Sequence, residues 1–137
     1  MNFSILIVDD DDDDFVLLTA RIKQCQQNVT LFFAENGLEA TEKLKDGLQP
    51  NLIIIDANMP IMNGYELLVW LMKSATWRHI PIVIWTGEMS DSEVTRYYQA
   101  GANSVMLKPN ALHSVEAFCK HWFELVQLPQ LVAEAHE

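Results

Sequence analysis

Short apolar, β-rich runs alternate along the chain with longer segments of helical period. The runs are Phe3–Val8, Val29–Ala34, residues 52–55, residues 80–85 and Ser104–Leu107. Most are continuous rather than alternating, as expected of strands covered on both faces of a parallel sheet. Between them, Phe15, Leu18, Ile22 and Cys25 fall on one helical face. Ala40, Leu44 and Leu48 do the same, as do Leu67, Leu68, Leu71 and Met72, and the last stripe is Val115, Phe118, Cys119, Trp122 and Val126. Asn36 with Glu39, Asn63 with Glu66 and Ser90 with Glu93 read as helix starts, and Gly101 as the stop of the fourth helix.

The pattern predicts a strand–helix unit repeated five times in one α/β domain, a parallel sheet with helices on both faces and right-handed crossovers. The domain is expected over residues 1–127. Residues 128–137 have no partner strand and read as a tail.

The polar residues that interrupt this pattern are placed in order. Asp9 and Asp10 follow the first apolar run, Asp56 the third, Thr86 the fourth and Lys108 the fifth. In open α/β sheets ligands bind beyond the carboxyl ends of the strands, where the strand order reverses. Singly, each such residue is an ordinary solvated turn. Together they bring carboxylates, a hydroxyl and an ammonium to one rim. Three carboxylates held together repel and call for a cation. An all-oxygen ligand set favours a hard ion such as Mg²⁺, bound at about 2.1 Å through a few carboxylates and several waters. A carboxylate can act as nucleophile toward phosphorus, with a metal and a lysine offsetting the charge on the transferring group.

Charge narrows the classes further. Nine Lys and Arg against nineteen Asp and Glu leave a net charge of −10, which disfavours nucleic acid and anionic membrane surfaces as partners. No apolar run approaches the ~18 residues of a membrane span, and the first residues lack the basic flank of a signal peptide. Cys25 and Cys119 form no metal or redox motif and read as reduced thiols on helix faces, in keeping with a cytoplasmic protein. His79, His113, His121 and His136 show no metal spacing. Trp77 and Trp85 read as packing residues, and residues 11–14 as a solvated helix start.

Four motifs then carry a resemblance. Ile5-Leu6-Ile7-Val8-Asp9-Asp10, Asp56-Ala57-Asn58-Met59-Pro60 followed by Gly64, Trp85-Thr86-Gly87-Glu88, and Lys108-Pro109 resemble the receiver domain of bacterial two-component response regulators, over residues 3–126. The resemblance implies a CheY-like, flavodoxin-like (βα)5 doubly wound fold with strand order 2-1-3-4-5. It implies Asp56 as phosphoacceptor and Mg²⁺ (or Mn²⁺) held by Asp10, Asp56 and the Asn58 carbonyl, with Asp9 acting through water. Thr86 becomes the switch hydroxyl and Lys108 the phosphoryl-binding lysine, while Asn58 and Glu88 tune phosphoryl lifetime. A sensor histidine kinase or phosphotransfer protein is the implied donor and an unnamed downstream protein the reader. The resemblance further implies a domain that assists its own phosphorylation and dephosphorylation without being an enzyme with a separate substrate.

Two positions depart from the family pattern. Val105 stands where an aromatic often swings with the switch threonine, and Asn110, where Phe is common, reads as a cap of the last helix. Residues 122–129 resemble the end of stand-alone regulators paired with bacterial phytochrome kinases. That group tends to form homodimers, and Tyr97, Tyr98, Val105 and Trp122 are the candidate face.

Other readings fit less well. A pseudo-receiver, an interaction module of the same fold that is never phosphorylated, usually lacks an acid or the lysine, and this chain keeps both. A phosphatase of the haloacid dehalogenase class needs an acid two residues after its nucleophile, where this chain has Asn58. A nucleotide binder needs a glycine-rich loop after the first strand, which here is occupied by acids.

Overall fold

The computed structural model describes residues 3–25 and 28–107. Five strands, β1 (Phe3–Val8), β2 (Val29–Ala34), β3 (Leu52–Asp56), β4 (Ile82–Thr86) and β5 (Ser104–Leu107), alternate with α1 (Asp12–Cys25), α2 (Gly37–Lys45), α3 (Gly64–Met72) and α4 (Asp91–Ala100). All strand pairs are parallel and the sheet order is β2-β1-β3-β4-β5. The chain therefore leaves β1 toward β2 and later returns to β1's other side with β3. That reversal opens a crevice beyond the carboxyl ends of β1 and β3. The expected last helix lies outside the described residues, as do Asn110 and the tail.

The continuous apolar runs are explained by two cores, one on each face of the sheet. Leu6, Val8, Ile53, Ile55, Ile82 and Ile84 pack with residues of α2 and α3, among them Ala40, Leu44, Leu67, Leu68 and Leu71. The alternate residues Ile5, Ile7, Ile54, Val83 and Trp85 pack on Leu18 and Ile22 of α1. Successive side chains of a strand point to opposite faces, so a strand covered on both must be apolar throughout.

The helix ends form as their sequences demand. Asn36 Oδ1 accepts from the Glu39 amide at 2.8 Å, and Asn63 and Glu66 complete a reciprocal capping box. The Ser90 hydroxyl accepts from the Glu93 amide at 3.3 Å. Gly101 ends α4 in the left-handed region at φ 118°, where a side chain would also meet the Met72 sulfur.

Three boundaries differ from expectation. The fourth strand begins at Ile82, not residue 80. Pro81 has no N–H to give a ladder, and the Ile80 amide turns back to the Trp77 carbonyl at 3.0 Å. Asp56 and Thr86 are the last residues of their strands rather than the first beyond them, because Asp56 still pairs with Trp85 and Thr86 with Leu107. Both side chains are thus positioned by the sheet ladder itself.

Candidate functional site

The crevice at the strand ends gathers the first acids. Asp9, just past β1, is fully buried. Its Oδ1 accepts from the Asp11 amide at 2.9 Å and its Oδ2 from the indole Nε1 of Trp85 at 3.0 Å. Asp10 is exposed beside it. Asp11 leaves the cluster to cap α1, accepting from the amides of Asp13 at 2.9 Å and Asp14 at 3.4 Å. Asp12, Asp13 and Asp14 occupy the first helical turn, where their charge suits the helix dipole. The acidic run thus divides into two residues for the crevice, one cap and one helical turn. Asp14 is half-buried rather than fully solvated.

Asp56 is 3% exposed, and its Oδ1 accepts from the Asn58 amide at 3.1 Å. One carboxylate oxygen from each of Asp9, Asp10 and Asp56 lies within 4.8 Å of the others. Burying two carboxylates beside a third is unfavourable unless a positive charge compensates them. The donors are all oxygens, so the set fits a hard divalent ion and not a thiolate- or imidazole-seeking one.

From Asp56 a chain of polar contacts runs to the β4–α4 loop. The Asn58 side-chain amide lies 3.5 Å from the Thr86 hydroxyl, which donates to the Glu88 carbonyl at 3.1 Å. Thr86 is fully buried, whereas Asn58 and Glu88 are exposed. An open cavity of about 460 Å³ adjoins Asp10 and Asn58 and is walled by Tyr65, Arg96 and Tyr97. Lys108 follows Leu107 in sequence and lies outside the described residues.

These features can be set beside known proteins. A family model described as "Response regulator receiver domain" matches residues 5–119. This chain belongs to that family. The receiver domain is 38% identical over 76 residues to "Chemotaxis protein CheY1" of Helicobacter pylori, spanning 56% of this chain and 61% of that protein. It is 34% identical over 117 residues to "Two-component response regulator ORR5" of Oryza sativa, 84% of each chain. The match spans only 38% of "Two-component response regulator ARR8" of Arabidopsis thaliana, so this chain covers less than two thirds of several relatives. The fold is that of the "Phosphorylated Cyanobacterial Phytochrome Response Regulator RcpA", at TM-score 0.85 and 22% identity over 94% of this chain and 99% of that one. The "Mn(2+)-bound form of response regulator Rcp1" aligns at TM-score 0.84 and 26% identity, over 93% and 99%.

The receiver domain's expected partner face is only partly a surface. Tyr98 is 46% exposed, and its hydroxyl accepts from the amide of half-buried Val105 at 3.0 Å, covering one N–H of edge strand β5. Tyr97 is a correction: it is 6% exposed, because it lies on the inward stripe of α4, edge-on to Tyr65 with ring centres 5.5 Å apart. Trp122 lies outside the described residues.

Two residues near the crevice, Arg96 and Tyr65, escaped the sequence reading. Arg96 sits 3.7 Å above the Tyr65 ring, which neighbours Tyr97. Trp85 packs, as expected, but also reaches Asp9. The available signal was a tryptophan ending a strand, since a buried indole N–H usually finds an acceptor.

Proposed function

We propose that this receiver domain is a phosphoacceptor switch in which Asp56 takes a phosphoryl group from a phosphohistidine. A carboxylate oxygen of Asp56 attacks phosphorus, the P–N bond to the donor imidazole breaks, and an aspartyl-phosphate forms. The donor is a sensor histidine kinase or phosphotransfer protein; the resemblance of residues 122–129 points to a phytochrome kinase. The domain assists this transfer and its reversal by hydrolysis and needs no separate substrate.

Asp10, Asp56 and the Asn58 carbonyl would hold Mg²⁺ or Mn²⁺, with Asp9 acting through water. When bound, the ion offsets the negative charge gathered on the transferring group. The Rcp1 structure named above is a Mn²⁺-bound form of a relative at 26% identity, which supports this choice. Lys108 supplies a second positive charge, and the exposed side chains of Asn58 and Glu88 control water's approach and so the lifetime of the phosphoryl group.

The observation that carries the reading is the convergence of three carboxylates from two strand ends, joined through Asn58 to a buried threonine. The Thr86 hydroxyl donates to Glu88 within its own loop. Transfer of that donor to a phosphoryl oxygen would release the loop and α4. Moving a population almost completely takes about 5.5 kcal/mol of differential interaction. One charge-assisted hydrogen bond contributes only about 1.5–3 kcal/mol. Thr86, Lys108 and the ion must therefore act together.

Output passes through protein contacts, with a downstream partner or a second copy of the chain, at a face that includes Tyr98 and Val105. A net charge of −10 argues against nucleic acid, and among the described residues no helix is long and apolar enough to cross a membrane.

Beryllofluoride with Mg²⁺ mimics an aspartyl-phosphate and tests the switch against an unphosphorylated interaction module. The switch predicts a raised melting temperature and a changed sedimentation or partner-binding profile, both lost in Asp56→Asn. A melting curve indifferent to beryllofluoride would favour the module.

A further inference from the structure

We infer that Trp85 is a positioning residue for the cation site: its indole N–H holds the Asp9 carboxylate in the one orientation that serves the ion's hydration shell. This rests on the proposed cation site and goes beyond it to a side chain outside the acidic cluster.

The geometry of the pair is specific. Asp9 and Trp85 come from strands that are not neighbours, because β3 lies between β1 and β4. Ile5 and Ile7 face α1, as do Val83 and Trp85. Continuing the alternation of β1 past Val8 brings Asp9 to that same face. The indole is long enough to cross the intervening strand, and its Nε1 meets Asp9 Oδ2 at 3.0 Å in a buried contact. The backbone of Trp85 is tied to the acceptor strand as well: it pairs with Asp56, and its carbonyl accepts from the Ala57 amide at 3.1 Å.

The chemical consequence follows from counting acceptors. An ionised carboxylate offers about four lone-pair sites. The Asp11 amide takes one on Oδ1 and the indole one on Oδ2, so the group cannot rotate without losing a buried hydrogen bond. Asp9 is fully buried and Asp10 is exposed; in the proposed site Asp10 would meet the cation directly and Asp9, held in this orientation, would act through water. Because Trp85 adjoins Thr86 in the chain, the same indole ties the acidic end of β1 to the strand that carries the hydroxyl. Partners that orient metal ligands in this way typically change metal affinity about 10- to 100-fold when removed.

The test uses the whole chain and Mg²⁺ alone, read by isothermal titration. Trp85→Phe keeps an aromatic ring and removes the donor. Mg²⁺ affinity should fall about tenfold or more, while Trp77→Phe, a ring stacked on Trp70, leaves it unchanged. A ring that merely packs would lower the denaturation midpoint of the Phe variant and leave its Mg²⁺ affinity alone; that result overturns the inference.

Should Trp85→Phe not fold, the wild type answers by NMR. Of its four indole N–H resonances, the one assigned to Trp85 by elimination with the other three Phe variants should shift as Mg²⁺ saturates. A Trp85 resonance indifferent to Mg²⁺ in a protein that binds it overturns the role of Trp85 alone. Failure of the wild type to bind Mg²⁺ removes the cation site and this inference together.

Discussion

Gly64 approaches Asp56 so closely that a Cβ on Gly64 would stand 2.5 Å from the Asp56 carbonyl oxygen and 2.8 Å from the Ala57 Cα. Both neighbours are backbone atoms and cannot rotate away. In a helix an alanine is ordinarily favoured over glycine by about 0.5–1 kcal/mol. Here overpacking, typically about 1–3 kcal/mol, outweighs that gain. Gly64→Ala should lower the urea midpoint and, by displacing the backbone of the proposed acceptor, slow phosphorylation by acetyl phosphate. An unchanged midpoint with an unchanged rate would contradict the close approach.

A second strained point lies in the β3–α3 loop. Ile61 has φ 70°, and the Met62 amide closes a three-residue turn on the Pro60 carbonyl at 2.8 Å. A β-branched residue in this region is strained by about 1–3 kcal/mol, and the side chain is 75% exposed, so it recovers little by burial. Glycine relieves the strain at an entropic cost of about 0.5–1 kcal/mol. Ile61→Gly should therefore stabilise the fold by about 1 kcal/mol, measured by chemical denaturation, and a destabilised variant would contradict this.

Much of this architecture was legible because its causes are local. Runs such as Phe3–Val8 and Val29–Ala34 are apolar on both faces, which a parallel sheet requires, and Asn36, Asn63 and Ser90 announce helix starts through bonds to residues three positions on. The acids, the threonine and their order were legible for the same reason: each lies at the end of a strand or just beyond it. Contacts that depend on where distant strands come to rest were not. The Trp85 indole and the Asp9 carboxylate are 76 residues apart, and no periodicity announces their meeting. Tyr97 and Tyr98 are adjacent in sequence, yet a helix turns one inward and leaves the other on its surface, so a face drawn from both was half wrong. Pro81 shows the opposite case, in which a single residue's missing N–H should have shortened the predicted strand.

Tyr97 gives a pH signature. Burial pushes its phenol above the ordinary tyrosine value of 10.0; Glu93 and Asp56 add to the rise, while Arg96 and the Tyr65 backbone oppose it. The unfolded chain thus releases this proton at lower pH than the folded one. The stabilisation is fully present below pH 10 and declines as pH rises from there through the folded value. Stability should fall more steeply above that pH in the wild type than in Tyr97→Phe, as followed by urea midpoints across the alkaline range. Parallel pH profiles for the two proteins would count against a raised Tyr97.

The most direct test of the account is the site and stoichiometry of phosphorylation. The wild-type chain, incubated with acetyl phosphate and Mg²⁺, should gain the mass of one phosphoryl group. That mass should be labile to hydroxylamine, map to the peptide containing Asp56, and be absent both in Asp56→Asn and without the metal. No gain of mass, or equal labelling of Asp56→Asn, would contradict it.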